Sequence, residues 1–210
     1  MNSHVALLGD SILDNGAYTS GGPDVVSQLR SILPAGWRAS LFAVDRAMMG
    51  GLAHQLNDLP ADVSHVVVSI GGNDVLQGLD VLRLKVKYSL EAFLSLGKRT
   101  ASFERAYRAA IDQVRQLGLW TTVCTIYNGN LTGEEGAASR VALTAFNDVI
   151  LRVAFEWRLP VIDLRLVCTE PADYANPIEP SSRGGEKIAR AIVRSLGLAT
   201  PTADPSRVYF

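Results

Sequence analysis

Cysteine and histidine are scarce in this chain of 210 residues, with two of the first and three of the second. Cys124 lies in an apolar run and Cys168 follows another, so both read as free buried thiols and not as a disulfide framework. No His/Cys/Asp cluster has the spacing of metal ligands, and neither a metal nor a cofactor is expected. An excess of one charge is also missing. Twenty Lys and Arg oppose 21 Asp and Glu, for a net charge of −1, with no basic run beyond Lys98-Arg99. That balance points to neither nucleic acid nor an anionic membrane as a partner. No apolar stretch reaches the length of a bilayer span. The start, MNSHVALLGDS, enters a strand-like run without the basic and apolar regions of a signal peptide, so a cytoplasmic location is the expectation.

What is present is an ordinary globular composition, 48% hydrophobic and 20% charged. A chain of this length buries about 70% of its unfolded surface and needs no covalent staple. Strand-length apolar runs fall at His4–Leu8, Trp37–Val44, His65–Ile70, Trp120–Ile126 and Leu159–Leu164. Helical spacing appears at Val25–Leu33, Gly51–Asp58, Asp80–Leu96, Ser102–Leu117, Ala137–Trp157 and Lys187–Leu196, with Gly97 separating the third and fourth. Alternating strands and helices, with strands apolar on both sides, predict an α/β fold in three layers. The expected core is a doubly wound, five-stranded parallel sheet of flavodoxin-like order 2-1-3-4-5. One domain over residues 1–199 and a tail over 200–210 are expected, as a monomer or homodimer.

In that order strands 1 and 3 are neighbours, and ligands sit at their carboxyl ends, where the chain diverges. Gly9-Asp10-Ser11 and Gly71-Gly72-Asn73-Asp74 both open there. Ser11 could serve as a nucleophile if a base removes its proton, although Ser11-Ile-Leu-Asp14 also fits a helix capping box. The Ser11 and Gly50 N–H groups and the Asn73 amide could together form an oxyanion hole. Asp10, Asp14, Gly72 and Asp74 are candidates for the pocket wall, with Asp10 and Asp74 more often scaffold than reactant. A flavodoxin-like nucleotide binder is disfavoured because the first loop lacks a glycine-rich phosphate cradle.

GDS at 9–11, a Gly at 50 after the second strand and GxND at 71–74 resemble the first three motif blocks of the SGNH (GDSL-type) hydrolases. The resemblance covers about residues 4–197. It implies Ser11 as nucleophile, with Ser11, Gly50 and Asn73 as oxyanion donors. It also implies a small-molecule ester substrate cleaved without a cofactor.

The fourth block departs. The family carries Asp-x-x-His before the last helix, and this chain has Asn176-Pro-Ile-Glu179. None of the three histidines replaces the missing one in the sequence pattern: His4 and His65 begin strands at the far edge, and His54 lies one turn beyond Gly50.

Two readings follow. In one, Glu179 is the base and the Asn176 amide donates to its carboxylate and orients it. The reference pKa of Glu lies about 2 units below that of His, a deficit of up to about 3 kcal/mol that burial can recover. In the other, the fold is a non-catalytic binding module for a glycan or a small anionic ligand, and Glu179 is a first-turn acid near a helix start.

Overall fold

Val5 and Leu7 of strand β1 (Ser3–Gly9) join one apolar core, while Ala6 and Leu8 join another on the opposite face. Strand β3 (His65–Ser69) divides in the same way, with Val67 on the first side and Val66 and Val68 on the second. A sheet apolar on both faces must be covered on both faces. In the computed structural model, which describes residues 3–199 apart from the Leu79 side chain, that is what is found. Strands β2 (Trp37–Leu41), β4 (Trp120–Cys124) and β5 (Val161–Ile162) complete a parallel sheet of order β2-β1-β3-β4-β5, as predicted. The predicted tail at 200–210 lies outside the described residues.

In chain order the helices are α1 (Val25–Ile32), α2 (Leu52–Asn57), α3 (Gly72–Gln77), α4 (Ser89–Arg115), α5 (Gly133–Glu156), α6 (Leu164–Val167) and α7 (Ser182–Ser195). Helices α1 and α7 cover the Val5 side, and α2, α4 and α5 the Ala6 side. Cys124 and Cys168 are free and buried in the first core, as expected.

Several boundaries differ from the sequence expectation, two of them at glycines. The chain does not break at Gly97: one 27-residue helix runs through it, and a 3-10 turn at Leu79–Arg83 replaces the first part of the earlier predicted helix. A solvent-facing glycine costs a helix about 1 kcal/mol, too little to end one whose later turns bury Phe103, Tyr107, Ile111 and Val114. Helix α7 begins at Ser182, five residues before Lys187, with the Ser181 hydroxyl accepting from Gly184 N–H. A Cβ on Gly184 would lie 2.1 Å from the Asp173 carbonyl oxygen. Glycine here marks a close approach of the helix to the loop before it, not a break.

Candidate active site

At the end of β1 the backbone turns through Gly9 at φ +125°, where a Cβ would sit 1.7 Å from the Ser69 carbonyl oxygen. Only glycine can occupy that place. The Gln55 side chain, from α2, accepts from Gly9 N–H at 2.7 Å and donates to Gly9 C=O at 2.8 Å. Asp10 C=O then accepts from the N–H groups of Leu13 and Asp14, which makes a single tight turn with Ser11 in it. No helix starts at Ser11, so the capping box is not formed. The Asp14 carboxylate instead accepts from Asp45 N–H at 2.9 Å.

Gly71, at φ +112°, opens α3 at the end of β3, and Gly72 lies beside the Asp10 carboxyl. The Asn73 amide donates to Ala47 C=O at 2.9 Å, and the Asp74 carboxylate accepts from Met49 N–H at 3.1 Å. Asp14, Asn73 and Asp74 therefore hold the loop after β2 at three alternate residues: Asp45, Ala47 and Met49. That loop carries Gly50, which is exposed in the 3-10 turn Met49–Gly51.

Glu179 comes from the long connection between β5 and α7. Asp173 organises this connection: its buried carboxylate accepts from Thr169 and Glu170 N–H and from the Lys187 ammonium, each at 2.8–3.0 Å. Tyr174 and Pro180 pair across the loop, and Ala175 N–H donates to Glu179 C=O. Asn15, itself buried, donates to Pro180 C=O and ties the Ser11 loop to the Glu179 loop. On the other side, Asn130 N–H and the Tyr127 hydroxyl donate to the carbonyls of Pro177 and Ile178.

These attachments bring Ser11 and Glu179 to one cavity of about 80 Å³, together with Asp10, Gly72 and Asn73. The rest of its wall is mostly apolar, from Val75, Leu76, Ile126, Leu131, Leu143 and Ile178. Gly50, Asp14 and Asp74 are not on the wall, and the pocket expectation is corrected for the last two. Each carboxylate instead accepts from a backbone N–H of the loop after β2.

Asn176 is also corrected. Its side-chain oxygen accepts from the N–H groups of Ile178 and Glu179, both at 2.9 Å, so it shapes the backbone of the loop. Its amide does not reach the Glu179 carboxylate.

The electrostatics separate two carboxyls. Glu179 is 8% exposed, and its Oε2 is buried without a hydrogen-bond partner among the described residues. Burial raises its pKa from the usual carboxylate range, and the nearby Ser11 hydroxyl offsets part of that rise. Asp10, 1% exposed, is pushed up to about 8 by burial, with the charges of Glu179 and Asp74 adding to the effect and the Ile12 N–H opposing it. At neutral pH Asp10 is therefore mainly a neutral acid. Glu179 shares the cavity with the Ser11 hydroxyl.

No histidine lines the cavity among the described residues, and none of their His, Cys, Asp and Glu side chains gather into a metal-binding group. Asp163 caps α6 and pairs with Arg165, a scaffold role at the end of β5. Sequence reasoning missed Gln55, Tyr127 and Asn147, the last gripping both N–H and C=O of Ile126 at 2.8 Å. Their partners lie 21–51 residues away, and nothing local marks them.

Residues 7–186 match the GDSL-like Lipase/Acylhydrolase family. No curated protein matches the chain. Solved structures of similar fold include an extracellular lipase from Streptomyces rimosus, at 20% identity and TM-score 0.67, covering 95% of this chain and 100% of that one. Another is phospholipase A1 from Streptomyces albidoflavus, at 15% identity and TM-score 0.71, with coverage of 93% and 100%. A variant of the acetyl xylan esterase Axe2 from Geobacillus stearothermophilus gives 20% and 0.69, with coverage of 97% and 99%.

Proposed function

We propose, from the premise that this chain belongs to the GDSL-like lipase/acylhydrolase family, that it hydrolyses small-molecule esters with Ser11 as nucleophile and Glu179 as general base. The observation that carries this reading is the buried, unpartnered Oε2 of Glu179 on a cavity shared with Ser11. Native proteins pair their buried polar atoms, and one left unpaired beside a hydroxyl is poised for an incoming proton.

In this mechanism the Ser11 oxygen attacks the ester carbonyl while its proton passes to Glu179. The tetrahedral oxyanion is held by the N–H groups of Ser11 and Gly50 and by the second Asn73 amide proton, the first being engaged by Ala47. Glu179 then returns the proton to the departing alcohol, leaving an acyl-serine. Water repeats the sequence: Glu179 takes its proton, the acid is released and Ser11 is restored. Burial of Glu179 narrows the basicity gap to histidine, and neutral Asp10 adds no second negative charge. Asn176 serves as a positioning residue through the backbone of Glu179. The apolar wall suits an acyl group and offers little to a glycan. A buried carboxylate facing the cavity also opposes an anionic ligand, which weighs against the binding-module reading.

Intact mass after exposure to a fluorophosphonate, with the adduct mapped by peptide sequencing, tests this reading without the natural substrate. An adduct on Ser11 that Glu179→Gln abolishes is the expected result. Folded protein that stays unlabelled from pH 5 to pH 9 would remove the catalytic role.

A further inference from the structure

Residues 83–91 are exposed one after another, although Leu84, Val86, Tyr88 and Leu90 stand among them. The first turns of α4 continue the pattern: Leu90, Phe93 and Leu94 fall at i, i+3 and i+4 and are 58–68% exposed. No residue of α4 before Phe103 is buried. Beside this face runs a groove between α4 and α5 lined by Phe93, Leu96 and the exposed Val141. Scattered single apolar residues on a surface need no explanation, but a contiguous face of this kind marks an interaction site.

Charge narrows the partner. From Arg83 to Lys98 the segment holds four cations, Arg83, Lys85, Lys87 and Lys98, against one carboxylate, Glu91. Arg83 is paired with Glu135 from α5, and Arg99 beyond the segment with Asp80. Lys85, Lys87 and Lys98 form no ion pair among the described residues. The whole-chain charge of −1, which argued against an anionic surface, averages this segment with an acidic remainder.

We propose that the face formed by Leu84–Leu94 docks on a lipid surface bearing anionic headgroups, with its apolar side chains in the interface and its lysines on the headgroups. An amphipathic face with lysines around exposed leucine and phenylalanine has the chemistry of interfacial binding. A second copy of the chain fits less well. A two-fold contact through this face would pair two patches of the same net positive charge. The face also lies close to the active site in sequence. It follows α3, whose Leu76 both lines the cavity and is 41% exposed.

Sedimentation with lipid vesicles tests the proposal, using the full chain carrying Ser11→Ala so that hydrolysis plays no part. Vesicles of phosphatidylcholine alone are compared with a mixture containing phosphatidylglycerol. Binding to the mixture at least about tenfold tighter, and weakened by salt, is expected. Lys85→Gln and Lys87→Gln each remove roughly a fivefold share of that preference, and Phe93→Ser with Leu94→Ser weakens binding to both vesicles. These side chains are exposed, so circular dichroism should show the fold of every variant intact. No binding to the mixture above phosphatidylcholine alone would overturn the proposal. So would a dimer in sedimentation velocity that Phe93→Ser dissolves. Neither outcome bears on ester hydrolysis, which is read separately by labelling of Ser11.

Discussion

The two ends of the same strands treat buried polar groups in opposite ways. At the amino end His4 is 1% exposed and fully partnered: its ring meets Asp62 at 3.2 Å and Ser40 at 2.9 Å, and its N–H donates to the Ser64 hydroxyl. His65 lies next to it, its ring between those of Trp37 and Trp120, and burial lowers the pKa of both histidines. At the carboxyl end Asp10 and Glu179 are as deeply placed, yet burial raises both and one Glu179 oxygen has no partner. One end uses its polar groups to close the structure, and the other holds them at a cost in stability.

Removing the carboxylate at the reactive end should separate activity from stability most sharply. Glu179→Gln is expected to lower kcat/KM by at least about a hundredfold, the scale of a general base, while the melting temperature stays level or rises. In the parent protein the acid limb of the pH–rate profile should lie above the ordinary glutamate range, because the base must be ionised and burial raises its pKa.

Asp10 provides a stability test of the same end. Its folded pKa of about 8 exceeds its unfolded value. Between about pH 4 and pH 8 the unfolded chain therefore releases a proton that the folded chain keeps, and stability falls as pH rises through that window. Asp10→Asn keeps an acceptor for Ile12 N–H and has nothing to ionise. Chemical denaturation should show a gain on the order of 5 kcal/mol at pH 8.5 and little change at pH 4. Equal effects at the two pH values would show that Asp10 titrates normally.

At the closed end the expectation reverses. His4→Ala should cost about 2 kcal/mol of unfolding free energy, through lost hydrogen bonds and packing, with kcat/KM unchanged. The smallest effect is expected for Asp62→Asn. This carboxylate is 58% exposed, so the change should stay under about 1 kcal/mol in the same denaturation measurement.

The glycines show why some features are legible in the sequence and others are not. Gly9 and Gly71 punctuate the ends of two apolar runs, and that local signal is enough to mark where the site lies. Gly97 and Gly184 look alike in sequence, yet one sits in solvent on a continuous helix and the other against the Asp173 backbone. Spacing alone pairs Asn176 with Glu179. Three residues allow either the backbone or the side chain of Glu179 as its partner, and the loop geometry selects the backbone.

Alternating apolar runs by themselves determined the layered fold, because strands apolar on two faces must be covered on both. The order 2-1-3-4-5 is the commoner one for such a sheet, and the motif blocks point to Ser11, Asn73 and Glu179 as one site. Only the tertiary structure decided which polar groups meet. Asp14 and Asp74 turn away to hold the loop after β2, Asn15 joins two loops 165 residues apart, and Glu179 is left buried with a free oxygen. Such pairings depend on distances between elements remote in sequence, and hydrophobic periodicity, which specifies only which face turns inward, carries no record of them.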